Sequence, residues 1–339
     1  MKKIISLIVV MLMVIGTFAA CGQNEAASDA GSSADSDKKL SIVTTIFPVY
    51  DWTKNILGDK AKDADLTMLL DSGTDLHSYQ PTADDVMKIT NCDMFIYIGG
   101  ESDDWVDDAL KDVSNKDMVV INLMEALGDK KKEEETVEGM EPEDEHEHEG
   151  EEAEGEEEEG PEYDEHIWLS LKNAVILCGE IEKGLEKIDP DNADTYKANL
   201  KAYTEQLNNL ESEYAEAAKN AKTKTLLFGD RFPFRYLADD YGLNYYAAFS
   251  GCSAESEASF ETISFLAKKA VELGLEDILT IDDSDKKIAK TIIDNTKDKA
   301  NKILNLDSMQ SVTEKDVNEG ADFIKIMKDN LSVLKEALN

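Results

Sequence analysis

Residues 144–170, DEHEHEGEEAEGEEEEGPEYDEHIWLS, set the first limit on how this chain can fold. The run opens as an almost purely acidic tract holding His146 and His148, and it closes on His166 beside Trp168. A segment with so little apolar side chain cannot offset the entropy of ordering itself, and its like charges push it into an extended, solvated state. The sequence therefore predicts a disordered acidic loop over residues 131–163, inserted into a folded lobe that resumes at Ile167, Trp168 and Leu169. Three of the four histidines lie in or directly after this run, so the pattern points to a protein that handles cations.

The charge balance agrees. The 339 residues carry 35 basic against 73 acidic side chains, a formal charge of −38. No Lys/Arg patch is present of the kind that releases counterions from phosphates, which argues against a nucleic-acid partner and for cations. Lys2 and Lys3 precede an apolar run from Ile4 to Ala20, followed by Cys21. Residues 1–20 thus read as an export signal of the lipoprotein kind, with Cys21 lipidated, and residues 21–39 as a flexible tether. The other reading of the run is a plain membrane anchor, although about 17 residues is at the short limit for a span. Cys92 and Cys178, each set among apolar residues, read as small core side chains, and the three cysteines beyond Cys21 (Cys92, Cys178 and Cys252), odd in number and widely spaced, are no disulfide framework.

From Leu40 onward, short β-branched runs alternate with helical patterns. Residues 41–47, 66–70, 94–98 and 118–121 read as strands, with helices at 49–57, 84–90, 102–112 and 171–187. Runs of this kind are buried on both faces, the mark of a mainly parallel sheet covered by helices. Asp189-Pro190 then opens a long helix, on which Tyr196, Leu200, Tyr203, Leu207, Leu210 and Tyr214 recur at spacings of four and three. One apolar stripe over about 30 residues, roughly 45 Å of helix, suits a strut across two lobes, with a coiled-coil dimer as the alternative. The strand-helix rhythm repeats from Thr225. The expected fold is α/β: two (β/α)-type lobes with mainly parallel sheets, 40–188 and 222–339, joined by one long rigid linking helix at 189–221.

In such lobes the ligand site forms outside the carboxyl ends of the strands. His77 follows one strand run, His166 ends the acidic tract, Gly229-Asp230-Arg231 follows another run, and Asp307 follows the run at 303–306. Two imidazoles and two carboxylates converging on one cleft suit a borderline divalent ion such as zinc, or manganese. There is no HExxH, paired CxxC or EF-hand loop, so the site has to be assembled from distant segments.

Residues 72–85, SGTDLHSYQPTADD, resemble the first histidine motif of the solute-binding proteins that serve zinc and manganese ABC transporters, the cluster A-I or cluster 9 family. YDEHIWLS at 163–170 is similar to that family's second histidine motif. YLADDYGL at 236–243, ILNLDSM at 303–309 and IKIMKDNLSVLKEAL at 324–338 resemble the tail of its third motif, its aspartate motif and its last helix. The resemblance implies that His77, His166 and Asp307 are metal ligands. It also implies that the chain is an extracytoplasmic receptor, not an enzyme, and that it passes Zn2+ (Mn2+ being the alternative) to an ABC permease from a lipid anchor on the bacterial cell membrane. A surface adhesin and a zinc hydrolase are the competing functions, and a monomer is expected. One position departs from the pattern: where the family places His or Glu, three residues before its motif aromatic (here Phe234), this chain has Arg231. Arginine has no lone pair to give. The fourth ligand therefore stays open among Asp230, Cys252, Glu255, Glu257 and water, with Asp230 the first candidate. Arg231 is expected to pair with a cleft carboxylate such as Asp230 or Glu257.

Overall fold

A computed structural model describes residues 39–141, 161–253, 257–296 and 302–339. The leader, Cys21, the tether up to Lys38, His146, His148 and Glu255 lie outside the described residues. The first half alternates β1 (Leu40–Thr44), α1 (Phe47–Leu57), β2 (Ala64–Met68), α2 (Ala83–Asn91), β3 (Met94–Tyr97), α3 (Trp105–Ala109), β4 (Val119–Asn122), α4 (Leu123–Leu127) and α5 (Leu171–Ile188). Its strands form one parallel sheet in the order β2-β1-β3-β4, with Ile42 of β1 beside Leu66 on one side and Met94 on the other.

Next comes α6 (Ala193–Asn220), and then β5 (Thr225–Leu227), α7 (Arg235–Tyr241), β6 (Asn244–Tyr246), α8 (Phe260–Leu273), β7 (Asp277–Ile281), α9 (Lys287–Asn295), β8 (Lys302–Leu306), α10 (Glu314–Asn318) and α11 (Phe323–Ala337). The parallel pairs β5-β6 and β7-β8 meet at a parallel bridge between Phe228 and Leu279. Two (β/α)-type lobes with parallel sheets are therefore present, as the alternation of apolar runs and helical patterns implies.

The long helix α6 ties the lobes together. Its Asn199 donates to Ile56 O of α1 at 3.0 Å, and its Tyr214 hydroxyl donates to Met327 O of α11 at 2.6 Å. Tyr196, Tyr203, Leu207, Leu210 and Tyr214 are all buried. They face α1, α5 and α11 of the same chain, so the stripe is covered internally and is not left open for a second helix as in a coiled-coil dimer. Among the described residues no helix is long and apolar enough to cross a membrane. Cys92 and Cys178 are fully buried, as their apolar neighbours suggest.

Three local expectations need correction. Phe47 belongs to a helix: the strand stops at Thr44, and Pro48 sits in the first turn of α1. Its fixed φ and missing N–H make proline as good a helix starter as a strand breaker. The single helix expected at 102–112 is three short pieces, two of them 3-10 turns flanking α3. The third correction concerns the ends of the acidic loop, which are not free. Residues 131–141 run as a strap that pairs with residues 162–164 and then crosses to the second lobe. Glu133 bridges Tyr163, Glu134 N donates to Glu162 O, and Asp164 N donates to Lys132 O. Farther along, Glu135 meets Arg235 and the Tyr245 hydroxyl, and Glu141 N donates to Ala248 O. These carboxylates reach donors about a hundred positions away in the chain, and that is what orders them.

Asp51 of α1 lies where α1, α6 and α11 meet, accepting from Asn55 Nδ2 and from the Phe323 backbone N–H. Burial, followed by the neighbouring Asp322, pushes its carboxyl up to about 7. A carboxyl raised above its unfolded value of about 3.9 binds its proton more tightly in the folded state, so its contribution to stability declines as pH rises from about 4 to 7. Asp51→Asn removes that decline. Its melting temperature should match the parent's near pH 4 and exceed it at pH 8, where the difference in unfolding free energy is at most about 4 kcal/mol at 1.36 kcal/mol per pKa unit. A constant offset between the two proteins across that range would refute the assignment; thermal denaturation at several pH values measures it.

Candidate metal centre

His77 sits in a 3-10 turn, Leu76–Ser78, beyond the carboxyl end of β2. Asp75 caps that turn by accepting the His77 N–H at 3.0 Å, and Asp75 is in turn ion-paired with Arg231 from the second lobe. His166 lies immediately before the 3-10 turn Ile167–Leu169 that leads into α5, and it is fully buried. Asp164 Oδ1 accepts both the His166 backbone N–H at 2.8 Å and the ring Nδ1–H at 3.0 Å. His77 Nδ1 meets Ser102 Oγ at 2.8 Å and lies 3.5 Å from Glu165 Oε2. The Asp164 carboxylate only accepts, so His166 carries its proton on Nδ1 and turns its Nε2 lone pair inward; Ser102 Oγ can accept or donate, so His77 can adopt the same tautomer when an ion takes its Nε2 lone pair.

Those two Nε2 atoms are 3.2 Å apart. At that distance one ring can donate its Nε2–H to the other, or both can offer lone pairs to a cation set between them. Nitrogens about 2.0–2.1 Å from a tetrahedral zinc ion are separated by about 3.4 Å, so the observed gap fits such an ion with almost no adjustment. Burial, with help from His166 and Arg231, lowers the pKa of His77 to about 3, against a smaller upward pull from Asp75. The ring is therefore neutral at pH 7, the state in which imidazole binds metal.

A third ligand-bearing side chain closes on the pair. Ligand atoms of His77, His166 and Cys252 all lie within 4.8 Å of one another, and this is the one such group of three among the described residues. Cys252 follows β6 in a loop brought alongside by a parallel bridge between Arg231 and Phe249. Burial pushes the Cys252 thiol well above its usual range, and Asp164 and Glu134 push it the same way.

The other expected residues are placed differently. Asp230 Oδ1 accepts the Arg231 N–H, burial raises its carboxyl, and it is outside the group of three. Glu257 is exposed. Arg231 does pair with a cleft carboxylate, but that carboxylate is Asp75, which is nearer its guanidinium than the Asp230 or Glu257 expected from sequence. Asp307 is also outside the group of three. It lies one residue from Ser308, whose carbonyl accepts the Trp168 indole N–H at 2.8 Å, and Trp168 packs 5.2 Å from the His166 ring. Its backbone is held on both sides by Asn330. Burial, and then Asp282, raises its carboxyl to about 7.

Sequence reading missed the groups that orient the histidines. Asp164 and Glu165 look like the end of the acidic tract, yet each is only 2% exposed. Glu165 Oε1 accepts the Ser102 N–H at 2.8 Å and packs against Gly100, where a Cβ would come within 2.4 Å of that oxygen. The available signal was position: a carboxylate two residues before a ligand-type histidine is well placed to hold its Nδ1–H.

A sequence profile described as "Zinc-uptake complex component A periplasmic" (ZnuA) matches residues 42–337. The chain belongs to the ZnuA family. The zinc-binding protein AdcA of Streptococcus pyogenes serotype M3 is 30% identical over 303 residues, covering 88% of this chain and 56% of AdcA. The high-affinity zinc uptake system protein ZnuA of Bacillus subtilis is 32% identical over 320 residues, 94% of this chain and 93% of that protein. Among solved structures, the Zn(II)-bound ZnuA-like domain of Streptococcus pneumoniae AdcA superposes with a TM-score of 0.68 at 30% identity, covering 89% of this chain and 99% of that one. The chain spans somewhat over half the length of its AdcA relatives.

Proposed function

We propose that this chain is an extracytoplasmic, lipid-anchored receptor that captures Zn2+ between its lobes and hands it to an ABC-type importer. The observation that carries the reading is the pair of inward Nε2 atoms 3.2 Å apart, each fixed by a hydrogen bond on the far side of its ring. The resemblance to zinc-uptake and zinc-binding lipoproteins supports the cargo and the anchor. In this account His77 and His166 hold the ion from the first lobe and Asp307 supplies a carboxylate from the second. Binding at the junction of the lobes lets a small relative movement open the site for delivery. The permease then has to compete only with a cleft that can loosen, not with a sealed cage.

Imidazole favours zinc over manganese, which prefers all-oxygen sites. Calorimetric titration of the metal-free protein should give zinc binding at least about a hundredfold tighter than manganese, the tighter metal being the one the donor set suits. Deleting the gene should slow growth under zinc chelation and be corrected by added zinc. Tighter manganese binding, or growth corrected by manganese alone, contradicts the assignment.

A further inference from the structure

We infer that Cys252 supplies a thiolate ligand to the ion held by His77 and His166, filling the place that Arg231 leaves without a donor. This rests on the receptor reading above. Arg231 is committed to an ion pair with Asp75, and no lone pair can come from it. The backbone at Arg231 runs beside Phe249, which carries the next three residues over the missing position.

The approach of that loop is built in. Gly251 lies so close to the His166 ring that a Cβ there would sit 3.2 Å from its Cε1 and Nδ1 atoms and 2.9 Å from Phe232 O. Any side chain at 251 would push the loop back, and Cys252 with it. From the other side, Glu134 of the strap accepts the Cys252 N–H at 3.1 Å. The loop is thus pinned between the acidic strap and the second histidine. In a tetrahedral zinc site with Zn–N near 2.05 Å and Zn–S near 2.3 Å, sulfur and nitrogen lie about 3.6 Å apart. The observed limit of 4.8 Å needs an inward movement of about 1 Å, well within the reach of a loop closing on an ion. On binding, the S–H bond breaks, a Zn–S bond forms and the proton passes to solvent. The donor set is then two neutral imidazoles, one thiolate and the Asp307 carboxylate, a set whose nitrogen and sulfur donors favour zinc and discriminate against manganese.

X-ray absorption at the zinc edge on the full chain loaded with one equivalent of zinc tests this. The expected spectrum contains a sulfur scatterer at about 2.3 Å beside nitrogen and oxygen at about 2.0–2.1 Å. Cys252→Ser, which keeps the volume, and Cys252→Ala should both lose the sulfur scatterer. Both should bind zinc about tenfold or more weakly, with a narrowed preference over manganese. Cys92 and Cys178, fully buried, stay in both variants as internal controls. A parent protein that binds zinc through nitrogen and oxygen alone overturns the thiolate assignment and leaves the receptor reading standing. So does unchanged affinity in both variants. A parent protein that binds no zinc overturns both.

Discussion

His77→Ala binds zinc more than about a hundredfold more weakly than the parent, a loss of roughly 2.7 kcal/mol or more. The size follows from what the ring does. His77 Nε2 is one of the two ring nitrogens facing each other across 3.2 Å, and nothing else in its turn replaces it, because Asp75 is committed to the His77 N–H and to Arg231. Loss of a partner that merely orients a ligand costs ten- to a hundredfold in metal sites, so loss of the ligand costs at least the upper end. The same deficit has a second readout. A ligand present at a thousand times its dissociation constant stabilises the fold by about 4 kcal/mol; after a hundredfold loss of affinity the same zinc gives about 1.4 kcal/mol, so the zinc-dependent rise in melting temperature should fall to about a third or less while the metal-free melting temperature stays close to the parent's. Titration calorimetry and thermal denaturation with and without zinc measure the two effects. A variant within about threefold of the parent would show that the histidine pair is not the seat of the ion.

Trp168→Ala should destabilise the protein by about 3–5 kcal/mol, the range for emptying a fully buried indole site. Trp168 is completely buried, stacks at a tilt against His166, and hydrogen-bonds across to the Ser308 carbonyl of the other lobe. Its indole is therefore both packing for the second histidine and the clamp beside Asp307. Trp168→Phe separates the two roles. It keeps most of the ring and removes only the N–H, leaving one buried carbonyl without its donor, a loss of about 1–3 kcal/mol. If the clamp sets the position of Asp307, this milder variant should also bind zinc measurably more weakly. Chemical denaturation gives the stabilities, and titration of the Phe variant gives the coupling. A Phe variant with full affinity would mean that Asp307 is positioned by Asn330 alone.

Much of the fold can be read from local sequence because its signals are local. The apolar run at 94–98 and the Ile-Leu-Thr-Ile run at 278–281 lie on largely buried parallel strands, and glycines at 58, 242 and 274 end helices just where the apolar pattern stops. The stripe on the long helix survives because each of its tyrosines lies against a helix of the same chain. What cannot be read locally is the fate of a carboxylate. Glu134, Glu135, Asp164 and Glu165 look in sequence like any other residue of the acidic run. Only three-dimensional proximity to Cys252, Arg235, His166 and Ser102 gives them their roles. The same holds at the site. Asp230 is one residue from the position that Arg231 occupies, yet the structure brings Cys252, from the loop after the next strand, beside the histidines. Neighbours across a parallel sheet are distant in the chain, so spacing along the sequence does not tell which side chains gather beside the histidines.

The most direct test of the account is a crystal of the zinc-loaded protein measured on both sides of the zinc absorption edge. The account predicts a single strong anomalous peak about 2.0–2.1 Å from both His77 Nε2 and His166 Nε2, between the two lobes. A fully occupied zinc site elsewhere on the molecule, with no peak between those two nitrogens, would contradict it.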